Sequence, residues 1–383
     1  MKRSRLHILN IVGARPNFMK IAPLMKEYAT HTDSIKASLL HTGQHYDEEL
    51  SGAFFSELEI PKPDTFLGVG SGTHAEQTAR IMVKFEKAVS KERPDLVLVV
   101  GDVNSTLACT LVAAKLQIPV AHVEAGLRSF DRSMPEEINR IVTDALADLL
   151  FTTSRDANEN LLREGIPQEK IFFVGNTMID TLMRMRPLLK KSRARGQLSL
   201  NGHRFAYVTL HRPSNVDDKN VLRGICDAFE KVQQQVTLVW PLHPRTRKML
   251  EQHGLASRLA SMKNVRIADP LPYIDSLALM AEAQFVITDS GGIQEETTVL
   301  GIPCLTLRPN TERPVTVTEG TNDVIGNDPA VIEDRALRLA AGHGAKQGRI
   351  PTLWDGKAAE RIVGIMLQRW NEAPLAGISL NGR

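Results

Sequence analysis

The sequence predicts an α/β protein made of two doubly wound, Rossmann-like halves, and three observations carry that prediction. The chain has 383 residues, more than one ordinary core accommodates, so two domains are expected. Short β-branched runs alternate with amphipathic segments of about 10 to 15 residues, the pattern of βαβ units in a parallel sheet. That alternation stops at a basic, weakly apolar stretch from Lys190 to His203 and then restarts.

In the first half, strand-like runs end at Val12, Val100, Glu124 and Thr153. Between them, Thr106 to Leu116 and Glu136 to Leu149 repeat their apolar residues with the helical period. The stretch containing Lys190, Lys191, Arg193 and Arg195 reads as a linker or crossing segment. Second-half strands are expected at Phe205 to Leu210, Val236 to Trp240, Val265 to Ile267, Phe285 to Thr288 and Cys304 to Leu307. A last helix from about Lys357 to Trp370 carries Ile362, Val363, Ile365, Met366 and Leu367 and is placed to pack back on the first half. The expected division is therefore 1–185, 186–356, and a terminal helix with a polar tail over 357–383.

Composition narrows the function classes. With 47 basic and 44 acidic residues the net charge is +3, too balanced to point to nucleic acid or an anionic membrane surface. No apolar run approaches the roughly 20 residues that span a bilayer, and Leu6 to Val12 reads as a first strand, not a signal segment. Cys109, Cys226 and Cys304 are an odd, widely spaced set without a CxxC pair, which points to buried thiols in a reducing, cytoplasmic compartment.

Ligands of open parallel sheets bind beyond the carboxyl ends of the strands. Those positions hold Gly13-Ala14-Arg15-Pro16, Gly101-Asp102, His122 to Gly126, His211-Arg212, Pro241-Leu242-His243-Pro244 and Asp289-Ser290-Gly291-Gly292. Nearly every strand delivers a charged or histidine side chain to one edge. The Ser290-Gly291-Gly292 turn opens a helix expected over Gln294 to Leu300, and its amides and the helix dipole suit a diphosphate. The plainer alternative makes Ser290 an N-cap. Arg15, with Lys20 a turn further on, offers counter-charge from the first half.

Several motifs are absent. Gly68-Val69-Gly70-Ser71-Gly72 superficially resembles a dinucleotide loop but lacks GxGxxG spacing and a convincing preceding strand, so it reads as a flexible turn. No GxxxxGK[ST] loop occurs. His41 and His45 lie four apart without an obvious third ligand. Catalysis is expected without metal or cofactor.

The segments GARPNFMKIAPL from Gly13, TGQHYD from Thr42, GDVNST from Gly101, HVEAGLRS from His122, PEEINR from Pro135, HRPSNV from His211, SGGIQEE from Ser290 and TERP from Thr311 occur in this order. Together they resemble the non-hydrolysing UDP-N-acetylglucosamine 2-epimerases. The resemblance implies the glycosyltransferase-B architecture, with the active site in the cleft between two Rossmann-like domains. It also implies a homodimer without NAD that interconverts UDP-GlcNAc and UDP-ManNAc through elimination of UDP, 2-acetamidoglucal, and re-addition after reprotonation of C2.

Carried over residue by residue, the matching carboxylates are Asp102, Glu124 and Glu136. Asp102 and Glu136 are expected to include the proton-transfer groups, with Glu124 positioning the sugar or sharing the proton. Without the resemblance, Glu136 reads as a first-turn residue complementing the helix dipole. Arg15, His211, Arg313 and the Ser290-Gly291-Gly292 amides match groups that stabilise departing UDP, Lys20 supports them, and Glu296 matches an acceptor for the ribose hydroxyls.

The chain departs from many relatives at Asn17, where they carry a carboxylate, at Ser276, where an aromatic lies near the uracil, and across Gly43-Gln44-His45-Tyr46-Asp47. That last segment brings activation by a second substrate molecule into question, although Gln44, Arg212 and His243 remain candidate contacts. Epimerisation of a modified UDP-sugar such as a diacetamido uronic acid, a hydrolysing epimerase, a glycosyltransferase and a UDP-sugar-binding regulator are the alternatives.

Overall fold

The computed structural model describes residues 5–44 and 55–372, Arg15 through its backbone only. The chain divides into two compact units, residues 1–184 with 352–383, and residues 185–351.

Unit 1 is built on a parallel sheet of β1 (Leu6–Val12), β2 (Ile35–His41), β3 (Thr65–Phe66), β4 (Leu96–Val100), β5 (Val120–Ala125), β6 (Leu149–Thr152) and β7 (Ile171–Phe173). Their spatial order is β3-β2-β1-β4-β5-β6-β7. β4 is buried along its whole length, as expected of a central strand covered by helices on both faces. The helices are α1 (Arg15–Tyr28), α2 (His74–Lys91), α3 (Asn104–Lys115), α4 (Pro135–Leu146), α5 (Arg155–Arg163) and α6 (Thr177–Met185). Ile81, Phe85 and Val89 of α2 pack with Val97, Val99, Ala108 and Val112 in one core.

The expected helix from Glu136 to Leu149 ends three residues early, because Leu149 already begins β6. The Gly68 to Gly72 turn follows a strand after all, the two residues of β3, and Val69 is buried within it. Its Gly70 amide donates to the Gly43 carbonyl at 2.9 Å, so the turn is fastened to the sheet edge.

Unit 2 repeats the plan. Its strands β8 (Phe205–Thr209), β9 (Thr237–Pro241), β10 (Val265–Ala268), β11 (Val286–Thr288), β12 (Cys304–Thr306) and β13 (Asn322–Val324) lie in the order β10-β9-β8-β11-β12-β13, all parallel. Around them lie α7 (Ala194–Gln197), α8 (Pro213–Val216), α9 (Lys219–Val232), α10 (Pro244–Gln252), α11 (Ala256–Ser261), α12 (Tyr273–Glu282), α13 (Gly291–Leu300), α14 (Pro314–Thr318) and α15 (Pro329–Ala340). Trp240 and Phe229 meet edge to face with centroids 5.3 Å apart inside this core. The basic stretch after Lys190 is not a bare linker. Ser192 donates to Asp275 of α12 at 2.6 Å, and Ala194 and Leu200 are buried.

The final helix, α16 (Ala358–Glu372), belongs to unit 1 and packs on α1. Asp180 accepts the Ala358 and Ala359 amides at 3.1 and 2.7 Å, the first-turn donors that a helix cannot satisfy internally. The Trp354 indole donates to the Thr153 carbonyl at 2.9 Å, and Arg361 to that of Val174 at 3.0 Å. Cys109, Cys226 and Cys304 are buried free thiols. Among the described residues no helix is long and apolar enough to cross a membrane.

In both sheets the strand order reverses between two central neighbours, β1 and β4 in unit 1 and β8 and β11 in unit 2. Such switch points open crevices at the carboxyl ends of the strands. Gly13, Asp102, His211 and Asp289 follow those four strands.

Candidate active site

Gly101 leaves β4 with φ +67, a left-handed turn that favours glycine and sets Asp102 at the sheet edge. Helix α4 then holds Asp102 twice. Asn139 donates to its backbone carbonyl at 2.8 Å, and the Arg140 guanidinium pairs with its carboxylate. Arg140 also donates from Nε and Nη2 to Glu137 at 3.0 and 2.6 Å. Glu137 accepts the Ser129 and Phe130 amides as well, at 3.0 and 2.8 Å. Burial pushes the Glu137 carboxyl up, but those amides and Arg140 prevail and hold it below the usual range.

Glu124 has φ +75 at a register shift between β5 and β6. A non-glycine residue there costs on the order of 1–3 kcal/mol and persists only where its surroundings impose it. Its carboxylate pairs with Lys20 of α1, both side chains being 4% exposed. A Cβ at Gly101 would lie 2.9 Å from the Lys20 ammonium, so glycine at that turn leaves room for the cation.

Beneath the same turn, the His122 ring contacts the Gly101 carbonyl at 2.9 Å and Asp144 at 2.6 Å. Asp144 in turn accepts the Gly126 amide at 3.0 Å and pairs with Arg128 at 2.7 Å. Burial raises the Asp144 carboxyl, yet the charges and hydrogen bonds of His122 and Arg128 hold it below its ordinary value. Glu136 sits in the first turn of α4, half-buried, directly after Pro135.

In unit 2, Asp289 ties the end of β11 to the end of β8. Fully buried, it accepts the His211 amide at 3.0 Å, the Arg212 amide at 2.9 Å and the Asn215 side chain at 3.0 Å. The His211 ring lies 3.2 Å from Asp289 and 5.3 Å, between centroids, from His243. Burial lowers the His211 pKa, opposed by Asp289 and reinforced by Arg212, Arg245 and Arg308. His243 caps α10 through the Arg245 amide at 3.2 Å.

Helix α13 begins at Gly291, earlier than Gln294, and the Ser290 side chain does not cap it. A Cβ on Gly291 would stand 2.4 Å from Arg313, so glycine is required by contact. Arg313 pairs with Glu295 at 2.8 Å and with Glu312, and Arg308 pairs with Glu312 at 2.7 Å. Glu296 is buried, not an exposed helix carboxylate, and accepts the Tyr273 hydroxyl at 2.7 Å. Burial pushes its carboxyl up to about 7, a rise that the Tyr273 hydrogen bond opposes.

Three residues singled out in the sequence, Asn17, Gln44 and Ser276, have structural partners. The Asn17 amide accepts from the Gly13 and Ala14 backbones at 3.0 Å each and donates to the Val100 carbonyl at 3.0 Å, so it shapes the first turn of α1. Gln44 is buried and accepts from the Ser105 hydroxyl and amide at 2.7 and 3.0 Å. Ser276 accepts the Tyr207 hydroxyl at 3.0 Å. The Arg15 side chain and His45, Tyr46 and Asp47 lie outside the described residues.

Sequence reasoning passed over Glu137, Arg140, Asp144, Tyr273, Glu295, Arg308 and Glu312. The i, i+3 spacing of Glu137 and Arg140 is a visible signal for one pair. Arg308 and Glu312, four apart, are a second such pair, whereas Asp144, Tyr273 and Glu295 meet their partners through the fold.

A family model described as UDP-N-acetylglucosamine 2-epimerase matches residues 27–367. The UDP-N-acetylglucosamine 2-epimerase of Methanocaldococcus jannaschii is 42% identical over 362 residues, 93% of this chain and 97% of that one. The UDP-2,3-diacetamido-2,3-dideoxy-D-glucuronate 2-epimerase of Pseudomonas aeruginosa is 42% identical over 325 residues, 84% of this chain and 88% of that one. The crystal structure of the M. jannaschii UDP-GlcNAc 2-epimerase with UDP-GlcNAc and UDP matches with a TM-score of 0.87 at 40% identity, over 95% of this chain and 100% of that one. A family match along most of its length and an α/β architecture shared with a solved epimerase place the chain in the UDP-N-acetylglucosamine 2-epimerase family.

Proposed function

We propose that the protein interconverts UDP-GlcNAc and UDP-ManNAc. The observation that carries this reading is the carboxylate cluster at the sheet edge of unit 1, where Asp102 and Glu124 each pair with a buried cation, Arg140 and Lys20, in a chain of this family.

The C2 hydrogen of the sugar is not acidic by itself, so its removal must be coupled to loss of the C1 substituent. A carboxylate takes the C2 proton, the C1–oxygen bond breaks, and UDP leaves with that electron pair, giving 2-acetamidoglucal. In the return step a β-phosphate oxygen re-forms the bond to C1 while C2 takes a proton on its opposite face. Two faces call for two acid/base groups, which we assign to Asp102 and Glu136, with Glu124 orienting the sugar. Carboxylates in a partly dry site suit this work.

Departing UDP needs preorganised donors and positive charge. The Gly291 and Gly292 amides at the start of α13 supply donors that have no acceptor within the helix. Arg313, His211 and Arg15 supply charge or hydrogen bonds, and Glu296 accepts from the ribose hydroxyls. Lys20 acts through Glu124 in this scheme, since its ammonium is engaged there, a narrower role than diphosphate support.

We further propose a cytoplasmic homodimer serving polysaccharide biosynthesis. Helix α4 supports the dimer. It buries Glu137, Asn139, Arg140, Thr143 and Asp144 while Ile138 and Leu146 are exposed, an inverted arrangement that leaves an apolar stripe for a second copy.

UDP-GlcNAc incubated with the enzyme in deuterated water should gain deuterium at C2 and yield UDP-ManNAc, followed by proton NMR. Absence of C2 label would sink the reading. The Pseudomonas relative favours one second reading, epimerisation of a UDP-diacetamido uronic acid, and the same assay on that sugar nucleotide compares the two by kcat/KM. Free N-acetylmannosamine as the main product would instead mark a hydrolysing enzyme.

A further inference from the structure

Helix α4 invests its buried face in Asp102. Arg140 is 2% exposed in its side chain and Glu137 1%, whereas Asp102 is 24% exposed and therefore the member of the trio that can meet a ligand. Glu137 is saturated: it takes two backbone amides, the Ser129 hydroxyl at 3.1 Å and two guanidinium nitrogens. A carboxylate so surrounded stays ionised and holds the guanidinium, because Nε and Nη2 both donate to its Oε2. The remaining terminal nitrogen, Nη1, then points at the Asp102 carboxylate.

We infer that Arg140, locked by Glu137, is a positioning residue that holds Asp102 in one rotamer and in its carboxylate form, so that Asp102 enters the reaction as the proton acceptor. The inference rests on the proposed epimerisation. It adds an order to the proton transfers: the substrate isomer whose C2 hydrogen faces Asp102 loses that hydrogen to it. The proton acquired there is returned to C2 when the reaction runs backwards.

Other charged groups surround Asp102. Lys20 of α1 lies against Gly101, Glu124 and His122 project from β5, Glu136 stands in the first turn of α4, and His74 of α2 contacts Asn104. Arg140 pairs directly with the Asp102 carboxylate.

The experiment measures kcat, KM and their pH profiles, with C2 deuterium incorporation, for the full-length enzyme and four variants: Arg140→Lys, Arg140→Met, Glu137→Gln, and the double variant Glu137→Gln with Arg140→Met. The double variant removes both buried charges together, so it folds without a stranded ion where Arg140→Met alone can fail. The inference expects the double variant to lose about 30-fold or more in kcat with KM within about threefold of wild type. Its acid limb should move up by about one pH unit, since a guanidinium favours the ionised carboxylate. Glu137→Gln alone should move the limb down, because it removes a like charge from behind the guanidinium, and Arg140→Lys should recover much of the lost kcat.

Wild-type kcat and acid limb in the double variant would overturn the inference, as would limbs that move together in the two Glu137 variants. If wild-type enzyme itself puts no deuterium at C2, the proposed reaction fails. If wild type exchanges and the double variant matches it, only the role of Arg140 fails.

Discussion

Lys20 and Glu124 form an ion pair in which both side chains are 4% exposed, and the carboxylate partner sits on a residue with φ +75. The cation from α1 thereby fastens a strained turn at the end of β5. Replacing one member strands a buried charge. Lys20→Met should lower unfolding stability by about 3–5 kcal/mol, and Lys20→Met with Glu124→Gln should recover more than half of that loss while remaining inactive. Urea denaturation of the two variants beside wild type measures both.

Gly291→Ala acts on the opposite chemistry. Its new methyl group would stand 2.4 Å from Arg313 and 2.7 Å from Glu312, and Arg313 is held by two carboxylates that resist its displacement. UDP affinity should fall about 10- to 100-fold, or about 1.4 to 2.8 kcal/mol, and the thermal midpoint should fall as well, because the buried ion pairs must shift to admit the methyl group. Titration calorimetry with UDP reads it. Unchanged affinity would show that the diphosphate does not approach this helix start.

Glu296 gives a pH signature. Burial raises its carboxyl from 4.5 to about 7 in the folded protein. A raised carboxyl binds its proton more tightly folded than unfolded. Its contribution to stability is therefore complete below about 4.5 and is lost as pH rises through about 7. Glu296→Gln keeps an acceptor for Tyr273 and does not titrate. Its stability relative to wild type should increase between pH 5 and pH 8 by an amount on the order of 3 kcal/mol. Paired denaturation curves at the two pH values test the sign, and a shrinking difference contradicts it.

Asp180→Ala removes the acceptor of the first two amides of α16. The loss should be about 1–2 kcal/mol, the range for a helix cap, and should be local. Hydrogen exchange followed by mass spectrometry should show residues 358–372 exchanging faster while β4 and β5 stay protected.

The sequence carried the parallel α/β plan because interior strands such as Leu96–Val100 are uninterrupted apolar runs. The strands that escaped notice are Ile35–His41, whose apolar run is broken by Lys36 and Ser38, and Thr65–Phe66, Ile171–Phe173 and Asn322–Val324, which contain two or three residues each, too few to show a period. Helix α4 was legible as a helix, but periodicity cannot say which face is buried, and here the apolar stripe is outside.

The strand-end rule found Asp102, His211 and Asp289, since a parallel sheet sends those positions to one edge whatever the connecting loops do. It could not find their partners. Lys20 meets Glu124 across 104 residues of chain, and only the folded sheet brings α1 against the end of β5.

The route by which unit 1 is closed bears on how this chain is made. Unit 2 lies in one continuous stretch, whereas unit 1 is completed by residues after 351, including Trp354 on the Thr153 carbonyl and α16 on Asp180. Domains generally fold in the order of their synthesis. On the ribosome that order is inverted here: the half translated second has all its residues first. The half translated first lacks the partners that Thr153, Val174 and Asp180 find in Trp354, Arg361, Ala358 and Ala359 until the last helix emerges.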